Sequence, residues 1–456
     1  MLQPFAGKIW EFRQRGHRVA FSEGLRRLWR LPRFRRILGV RVSTQAADGT
    51  LQVGLASYVL LSPEQQPDAW SIAMVLAITM LPFCIIGPFT SLALDRWPRQ
   101  RILVGTDGLR CIIALIVGAL VWGGARQNPA HISLLLLLLV AMSLNRFLLA
   151  ALTAGLEHTI DRREYLTASS IMPIIGPLGM MIGVMVAAAV RVVGGHWMPV
   201  HHADTIIFCI AAVLFLLSAL LGTRFGRDEL GPTTPDTSRT ASQVVHGVID
   251  GFGHLRTLPH VSVGLGLIGA QRLLFGVYSV AMMLGYRNYF HAKADVNAAM
   301  ADMASWGVVM GAGFVLSAAF MPRLVRSLGM RGALIALMVA TGLVQALPGG
   351  ILNRWALLAA SFFVGLFAQS LKAGVDTVCQ AHIDEAYKGR VFIVYDMIYN
   401  ALYVGGAVLA ALVLPVHGVS HSGLLGLAAG YLLVAALFAA ASGRHSRLYD
   451  RGTGRD

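Results

Sequence analysis

The sequence predicts an all-α membrane protein in which twelve transmembrane helices form two pseudo-symmetric halves of six helices each. Only 13% of its 456 residues are charged, whereas an ordinary soluble domain carries about 25%. The mean hydropathy is +0.64, and the apolar residues gather into long uninterrupted runs. Runs of about 20 apolar residues are long enough to cross the hydrocarbon core of a bilayer as helices.

Twelve such runs follow one another along the chain. Several contain glycine or proline, which membrane helices tolerate because neighbouring helices satisfy the freed backbone groups. The predicted spans cover residues 37–62, 69–94, 102–124, 130–156, 167–192, 204–223, 261–286, 303–322, 332–349, 355–376, 391–414 and 423–442.

The basic residues of the loops predict the orientation of these spans. With the N-terminus inside, every inner loop is basic, and the outer side holds Arg126, Arg191, Arg287, Lys293 and Arg354. Because Lys and Arg are enriched in cytoplasmic loops, we expect both termini in the cytoplasm. The net charge of +15 then reflects this bias, and we expect no nucleic acid as a partner.

Composition divides the chain into five segments. The N-terminal segment is basic, which predicts either a helix on the inner leaflet or a tail that only fixes topology. A polar linker separates the halves, and its Val244, Val248, Phe252 and Leu255 recur at helical spacing, which predicts a short interfacial helix. The segments are 1–36 (N-terminal segment), 37–223 (first half), 224–260 (linker), 261–443 (second half) and 444–456 (cytoplasmic tail).

The two halves repeat a short pattern at equivalent positions. Leu152–Glu157 ends the fourth span, and Leu371–Asp376 ends the tenth. Both read Leu, any residue, Ala, Gly, an aliphatic residue and an acid. An Arg-rich loop also follows both the second and the eighth span. The chain is therefore predicted to be a tandem duplication of a six-helix unit.

A charged loop after the second span contains Ser91, Asp95, Arg96, Arg99 and Arg101. An acid four residues after a small residue, followed by Arg and further basic residues, resembles the signature loop of the major facilitator superfamily (MFS) of transporters. The loop departs from that pattern at Ser91 and at the residue before Arg99, where glycine is usual.

Further residues extend the resemblance to most of the chain. Asp107 and Arg110 at the start of span three, and Gly389 and Arg390 near the start of span eleven, resemble the drug- and siderophore-exporting branch of bacterial MFS proteins. The resemblance implies a multi-pass transporter of the cytoplasmic membrane. It implies a monomer that takes a small-molecule substrate and uses the proton gradient, with no cofactor.

Five of the ionisable residues inside predicted spans are candidates for the mechanism, because a charge at membrane depth is costly and usually functional. They are Arg41, Asp48, Arg146, Arg272 and Asp396. Asp48 is roughly 16 Å into the first span at 1.5 Å per residue, near the middle of a core about 30 Å thick. In MFS transporters the first, fourth, seventh and tenth helices line the central cavity, so the resemblance places the first four of these residues there.

Two interpretations of Asp48 are open. It is either a proton or substrate site, or half of an ion pair with Arg41 or Arg272 that locks helices together. Three arginines against one acid favour an anionic or zwitterionic substrate. The alternative is that Arg146 points towards a neighbouring helix.

Asp95 is predicted to belong to an inner gate, where it accepts backbone N–H groups near Arg390. We expect the three loop arginines to pair with Asp107, Glu157 or Asp161, although the last two arginines also suit a plain topology signal. The predicted gating set is Ser91, Asp95, Arg96, Arg99, Arg101, Asp107, Arg110, Glu157, Asp376 and Arg390.

Span five contains Gly176, Pro177 and Gly179, with Gly183 four residues further on. The segment partly resembles the Gly-Pro motif of MFS antiporters, which favours exchange. Glycines four residues apart also permit close helix packing, and that interpretation explains the segment equally well.

The chain lacks the signatures of an ATP-driven pump or an enzyme. It contains no G-x-x-x-x-G-K-[ST], no G-x-S-x-G and no H-E-x-x-H. Its outer-side histidines match no metal-site spacing, so no metal is predicted. We expect proton-coupled efflux of a small amphipathic molecule. The alternatives are a flippase of lipids or lipid-linked precursors with the same fold, and a transport-inactive scaffold or receptor.

Overall fold

The computed structural model describes residues 28–60, 68–123, 130–160, 162–194, 197–231, 240–292, 295–443 and 448–449. The predicted helix of the N-terminal segment therefore falls largely outside the described residues. Within them, the secondary structure is helical and contains no strand.

The helices are α1 (Pro32–Leu60), α2 (Ala69–Ile85), α3 (Thr90–Arg96), α4 (Arg99–Trp122), α5 (Ala130–Thr159), α6 (Arg162–Gly194), α7 (Val200–Thr223), α8 (Ala241–Thr257), α9 (Pro259–Leu284), α10 (Val296–Ile351), α11 (Arg354–His382), α12 (Glu385–Val413) and α13 (His421–Ser442). A 3₁₀ turn at Gly87–Phe89 precedes α3, and a π-helical turn at Gly285–Tyr289 follows α9. α8 covers the linker segment in which the sequence predicts a helix.

Side chains cap the N-termini of several helices. Asp68 accepts a hydrogen bond from the Ser71 N–H at 2.8 Å, at the start of α2. Asn353 caps α11 and Ser420 caps α13 in the same way. These side chains satisfy N–H groups that the first turn of a helix leaves without an intrahelical partner.

The described helices account for the twelve predicted spans. Ten are long and apolar enough to cross a membrane. One of them, α10, is broken at Gly329, whose φ of 73° and ψ of 169° are not helical, and it contains the eighth and ninth predicted spans. α1 contains the first span but carries charged residues such as Arg41 and Asp48. The prediction of an all-helical membrane protein is thus confirmed, while the cytoplasmic placement of the termini stays a prediction.

The chain forms two compact units. The first contains the described residues up to Leu55 and those of Phe89–Thr240. Within it, α4 packs against α5 and α7. Buried apolar side chains such as Ile37, Leu103 and Leu148 join α1, α4 and α5.

The second unit contains Ala56–Pro88 and the described residues from Ala241 onwards. Within it, α10 packs against α11 and α13, and α9 packs against α12. This grouping differs from the predicted halves, 37–223 and 261–443, in one segment. α2 packs against α12 and α9, and these contacts place it in the second unit.

Glycines make very close helix crossings in the described residues of both units, and one crossing in each unit is equivalent to the other. In the first unit, a Cβ at Gly183 would overlap the carbonyl oxygen of Ala46. In the second unit, a Cβ on Gly276 or Gly406 would lie 3.1 Å from the other glycine's Cα. These crossings join spans one and five, and spans seven and eleven, which are equivalent pairs in a tandem repeat. Small residues allow such close contact, which holds helices together in lipid.

Substitution of Gly406 by alanine tests this crossing. The added methyl group would overlap the carbonyl oxygen of Leu273, and such overpacking typically costs about 1–3 kcal/mol. We therefore expect a lower thermal unfolding midpoint in detergent. Gly405→Ala is the matched control, because a Cβ there meets no atom within 4 Å. Equal midpoints for the two variants would contradict the crossing.

Candidate functional site

A buried ionic network lies in the first unit, between α1 and α4. Arg110 is 0% exposed and forms ion pairs with two acids, Asp48 and Asp107. The distance from Arg110 Nη1 to Asp107 Oδ1 is 3.1 Å. We call these three residues the carboxylate trio. With both acids ionised, its two negative charges face one positive charge, so the buried trio has a formal charge of −1.

Polar groups of α1 complete the network. Thr44 Oγ1 donates to Asp107 Oδ1 at 3.2 Å and accepts from Arg110 Nη1 at 3.2 Å. Gln45 Nε2 donates to Asp48 Oδ2 at 3.3 Å. Thr44 and Asp48 lie four residues apart on α1, and Asp107 and Arg110 lie three apart on α4. These spacings place each pair on one helix face.

One carboxylate oxygen of the network lacks a well-aligned hydrogen bond from the described residues. Asp107 Oδ2 is buried and accepts no hydrogen bond from the described residues. The far side of Arg110 is covered by an aromatic ring, because its guanidinium carbon lies 4.0 Å from the centroid of Phe215. The trio is therefore buried away from water, where an unbalanced charge is expensive.

The partner of Asp48 differs from the sequence-based expectation. Arg110 pairs with Asp48, in place of Arg41 or Arg272. Arg41 instead lies against α6, where a Cβ at Gly176 would be 2.9 Å from its Nη2, and it forms no ion pair within the described part of the chain. Arg272 belongs to the second unit. The family resemblance predicts Arg110 in the gate, whereas its spacing of three from Asp107 on one helix indicates the local pair that the structure shows.

An aromatic cage surrounds Arg272 in the second unit. Its guanidinium carbon lies 4.2 Å from the ring centroids of both Tyr399 and Tyr403, and 5.1 Å from that of Phe275. Cations at such distances from aromatic faces are attracted by the ring quadrupole. Among the residues that the structure describes, Arg272 forms no ion pair, and its Nε has no hydrogen-bond partner.

A second cation shares the cage. Lys372 Nζ lies 5.2 Å from the ring of Tyr395 and 5.4 Å from that of Tyr399. Lys372 also forms an ion pair with Asp376 at 2.8 Å. Asp376, expected in the gate, therefore neutralises Lys372. Lys372 was not among the predicted site residues, although it is an ionisable residue inside a predicted span, the feature that marked the other cavity candidates.

The remaining cavity candidates take other positions. Arg146 is half-buried on α5, beside the buried Asn145. Asp396 is exposed on α12, while its neighbour Tyr395 is buried. The structure thus separates Asp396 from the buried face of α12.

Of the acids expected to pair with the loop arginines, Asp107 pairs with Arg110, while pairing with Glu157 or Asp161 stays a prediction. Arg99 donates to the carbonyl oxygens of Ala154 at 2.8 Å and Leu230 at 3.0 Å. Asp107, one of its expected partners, is held by Arg110. Backbone carbonyls therefore fix Arg99, and it joins the end of α5 to the segment after α7.

Other gate residues are placed as follows. Asp95 is half-buried on α3, whereas Arg96 and Arg101 are exposed. Arg390 pairs with Asp250 of α8 at 3.3 Å. The side chains of Ser91 and Glu157, and residue Asp161, lie outside the described part, so their predicted roles stay predictions.

The glycines of span five face α1. A Cβ at Gly179 would lie 3.0 Å from the carbonyl oxygen of Val42, and a Cβ at Gly176 would contact the guanidinium group of Arg41. Pro177 is exposed. These contacts favour the close-packing interpretation of the Gly-Pro segment.

Comparison with known proteins identifies the family. Residues 44–407 match the model of the Major Facilitator Superfamily. The chain belongs to this superfamily. It is 30% identical over 400 residues to an uncharacterized MFS-type transporter of Mycobacterium bovis, and equally to one of Mycobacterium tuberculosis. Each alignment covers 86% of this chain and 88% of the relative.

Solved structures share the fold. The nucleoside transporter NupG, as a mutant, superposes with a TM-score of 0.67 at 12% identity, covering 89% of this chain and 98% of that one. A peptide transporter in complex with sulfate gives 0.66 at 13% identity, covering 91% and 95%. A D-xylose-proton symporter gives 0.61 at 14% identity, covering 88% and 95%. The protein is thus a multi-pass MFS transporter, as the charged loop and the duplicated halves predicted.

Removal of Arg110 tests the energetic role of the carboxylate trio. Arg110→Met leaves two buried acids without their cation, and breaking a buried pair in this way typically costs about 3–5 kcal/mol. We expect a strongly lowered thermal unfolding midpoint in detergent. Arg224→Met, at an exposed arginine of the same unit, is the control and should change the midpoint little. Equal midpoints would show that the trio does not stabilise the fold.

Proposed function

We propose that the protein is a proton-coupled exporter of small amphipathic molecules that carry an anionic group. It would act as a monomer in the cytoplasmic membrane, and the proton gradient would supply the energy without a cofactor. The observation that carries the substrate class is the aromatic cage of Arg272, and the observation that supports proton coupling is the carboxylate trio.

The cage offers both parts of an amphipathic anion a partner. The rings of Phe275, Tyr399 and Tyr403 present apolar faces, while Arg272 supplies a positive charge that no described carboxylate neutralises. The guanidinium group can donate two parallel hydrogen bonds to a carboxylate, sulfate or phosphate group.

Lys372 adds little net charge to this site. Its ion pair with Asp376 at 2.8 Å balances its charge, so the cage as a whole carries the single positive charge of Arg272. A cationic substrate would be repelled, whereas a monoanion would leave the occupied cage neutral. This balance favours anions over hydrophobic cations.

The carboxylate trio can hold one exchangeable proton. With one proton on Asp48 or Asp107, the charges of the trio sum to zero. Asp107 Oδ2, which lacks a hydrogen-bond partner among the described residues, is an available position for it. Proton and substrate would then occupy different residues, so coupling would be conformational and not a direct competition for Asp48.

Substitution of Arg272 tests the substrate class. Hydrogen bonds to charged groups contribute about 1.5–3 kcal/mol, so Arg272→Gln should weaken binding of anionic compounds roughly 10- to 100-fold. The assay is binding to purified protein of matched compounds with one apolar body and a carboxylate, an amide or an ammonium group. The wild type should prefer the carboxylate, and Arg272→Gln should lose that preference. Preference for the ammonium compound would contradict the proposal.

Substitution of the acids tests proton coupling. Asp107→Asn leaves Asp48 paired with Arg110 and makes the trio permanently neutral. In proteoliposomes, it should retain exchange of the preferred compound at equal pH and lose accumulation driven by a pH gradient. Asp48→Asn should behave likewise. Asp68→Asn, which keeps a capping side chain, is the control and should retain both activities. Full gradient-driven accumulation by both trio variants would rule out the trio as the proton site.

A further inference from the structure

A cavity of about 440 Å³ lies in the first unit at the start of α4. Its walls come from α3, α4 and α5, and they are mostly apolar. Ile102 and Leu109 line it from α4, and Leu144 and Phe147 line it from α5. Gly105 leaves part of the α4 wall without a side chain. The cavity is separate from the carboxylate trio, since none of the trio lines it.

One cation lies at the edge of this cavity. Arg101 lines it and is exposed, and it forms no ion pair within the described part of the chain. The neighbouring Arg99 is different, because two backbone carbonyls hold its guanidinium. Arg101 is therefore free to receive an anionic group at the end of an apolar cavity.

Aromatic and apolar surface continues the cavity outwards. Trp97, which also lines it, is 61% exposed, and Trp is enriched where membrane helices meet the headgroup region. Further along α4, Leu109, Ile112 and Ile116 are 45%, 54% and 44% exposed. Their spacing of three and four residues places them on one helix face. In a membrane-spanning helix such an exposed apolar face contacts lipid.

Leu109 belongs both to this lipid-facing row and to the cavity wall. The cavity thus continues the surface that contacts acyl chains, and its basic end lies beside an exposed Trp. We propose that it binds an anionic phospholipid of the inner leaflet. One acyl chain lies against Leu109, Leu144 and Phe147, and the headgroup phosphate contacts Arg101.

The charge of Arg101 sets the preference among lipids. A phosphatidylglycerol headgroup has a net charge of −1, whereas the choline group cancels the phosphate charge in phosphatidylcholine. One basic residue near a membrane surface gives roughly a fivefold preference for an anionic lipid. The site should therefore take phosphatidylglycerol several-fold more readily than phosphatidylcholine with the same acyl chains.

Two substitutions test the two ends of the cavity separately. A Cβ at Gly105 meets no atom within 4 Å, so Gly105→Leu should fold normally and fill the cavity. Arg101→Gln removes the charge and leaves the apolar walls intact. Gly108→Leu is the control for the first variant, because Gly108 also has open space around it but does not line the cavity. Arg323→Gln, at an exposed arginine of the second unit, is the control for the second.

The measurement is native mass spectrometry of the purified full-length protein with equal amounts of the two lipids. We expect bound phosphatidylglycerol to fall at least fivefold in Gly105→Leu. Arg101→Gln should bind both lipids equally, and the two controls should match the wild type. Thermal unfolding of each variant establishes that it is folded. Because no transport is measured, the result is independent of the proposed substrate and proton sites.

Three outcomes would overturn the proposal. Equal binding of both lipids by the wild type would contradict the proposed contact between the headgroup and Arg101. Identical lipid binding by Gly105→Leu and Gly108→Leu would show that no acyl chain occupies the cavity. A wild-type dimer that Gly105→Leu converts to a monomer would show that a second copy of the chain covers the cavity.

Discussion

The structure depends on the burial of one arginine between two acids. Arg110 is fully enclosed by α1, α4 and the ring of Phe215, so its charge must be met inside the protein. Asp48 and Asp107 meet it from two different helices, which ties α1 to α4. Because two acids face one cation, the same arrangement leaves room for one proton. The same three residues can thus both hold two helices together and bind the coupling proton.

The second unit stabilises its half-buried cation, Arg272, in a different way. Arg272 is surrounded by aromatic rings in place of acids. The rings stabilise its positive charge without neutralising it, so the charge remains available to bind an anion. Lys372, on the same cluster of rings, already has Asp376. One unit therefore presents an excess of negative charge that suits a proton, and the other presents a positive charge that suits an anion. This division of roles is the physical basis of the proposed exchange.

Hydropathy was sufficient to predict the spans, and short motifs predicted the duplication and the family, because these features depend on residues within single segments. The partner of Asp48 could not be predicted in this way. Pairing between helices depends on how each helix is rotated about its axis, and packing sets that rotation. The Asp107–Arg110 pair is predictable from the sequence, because its members lie three positions apart on one helix. The grouping of α2 with the second unit required contacts that no single segment encodes.

The central claim is that the carboxylate trio takes up one proton, and infrared spectroscopy of the protein in membranes tests it most directly. Titration with pH should reveal the C=O stretching band of a protonated carboxyl group in the wild type. The account predicts that this band is lost in both Asp48→Asn and Asp107→Asn, since either variant makes the trio neutral without a proton. A band that persists unchanged in both variants would contradict the claim.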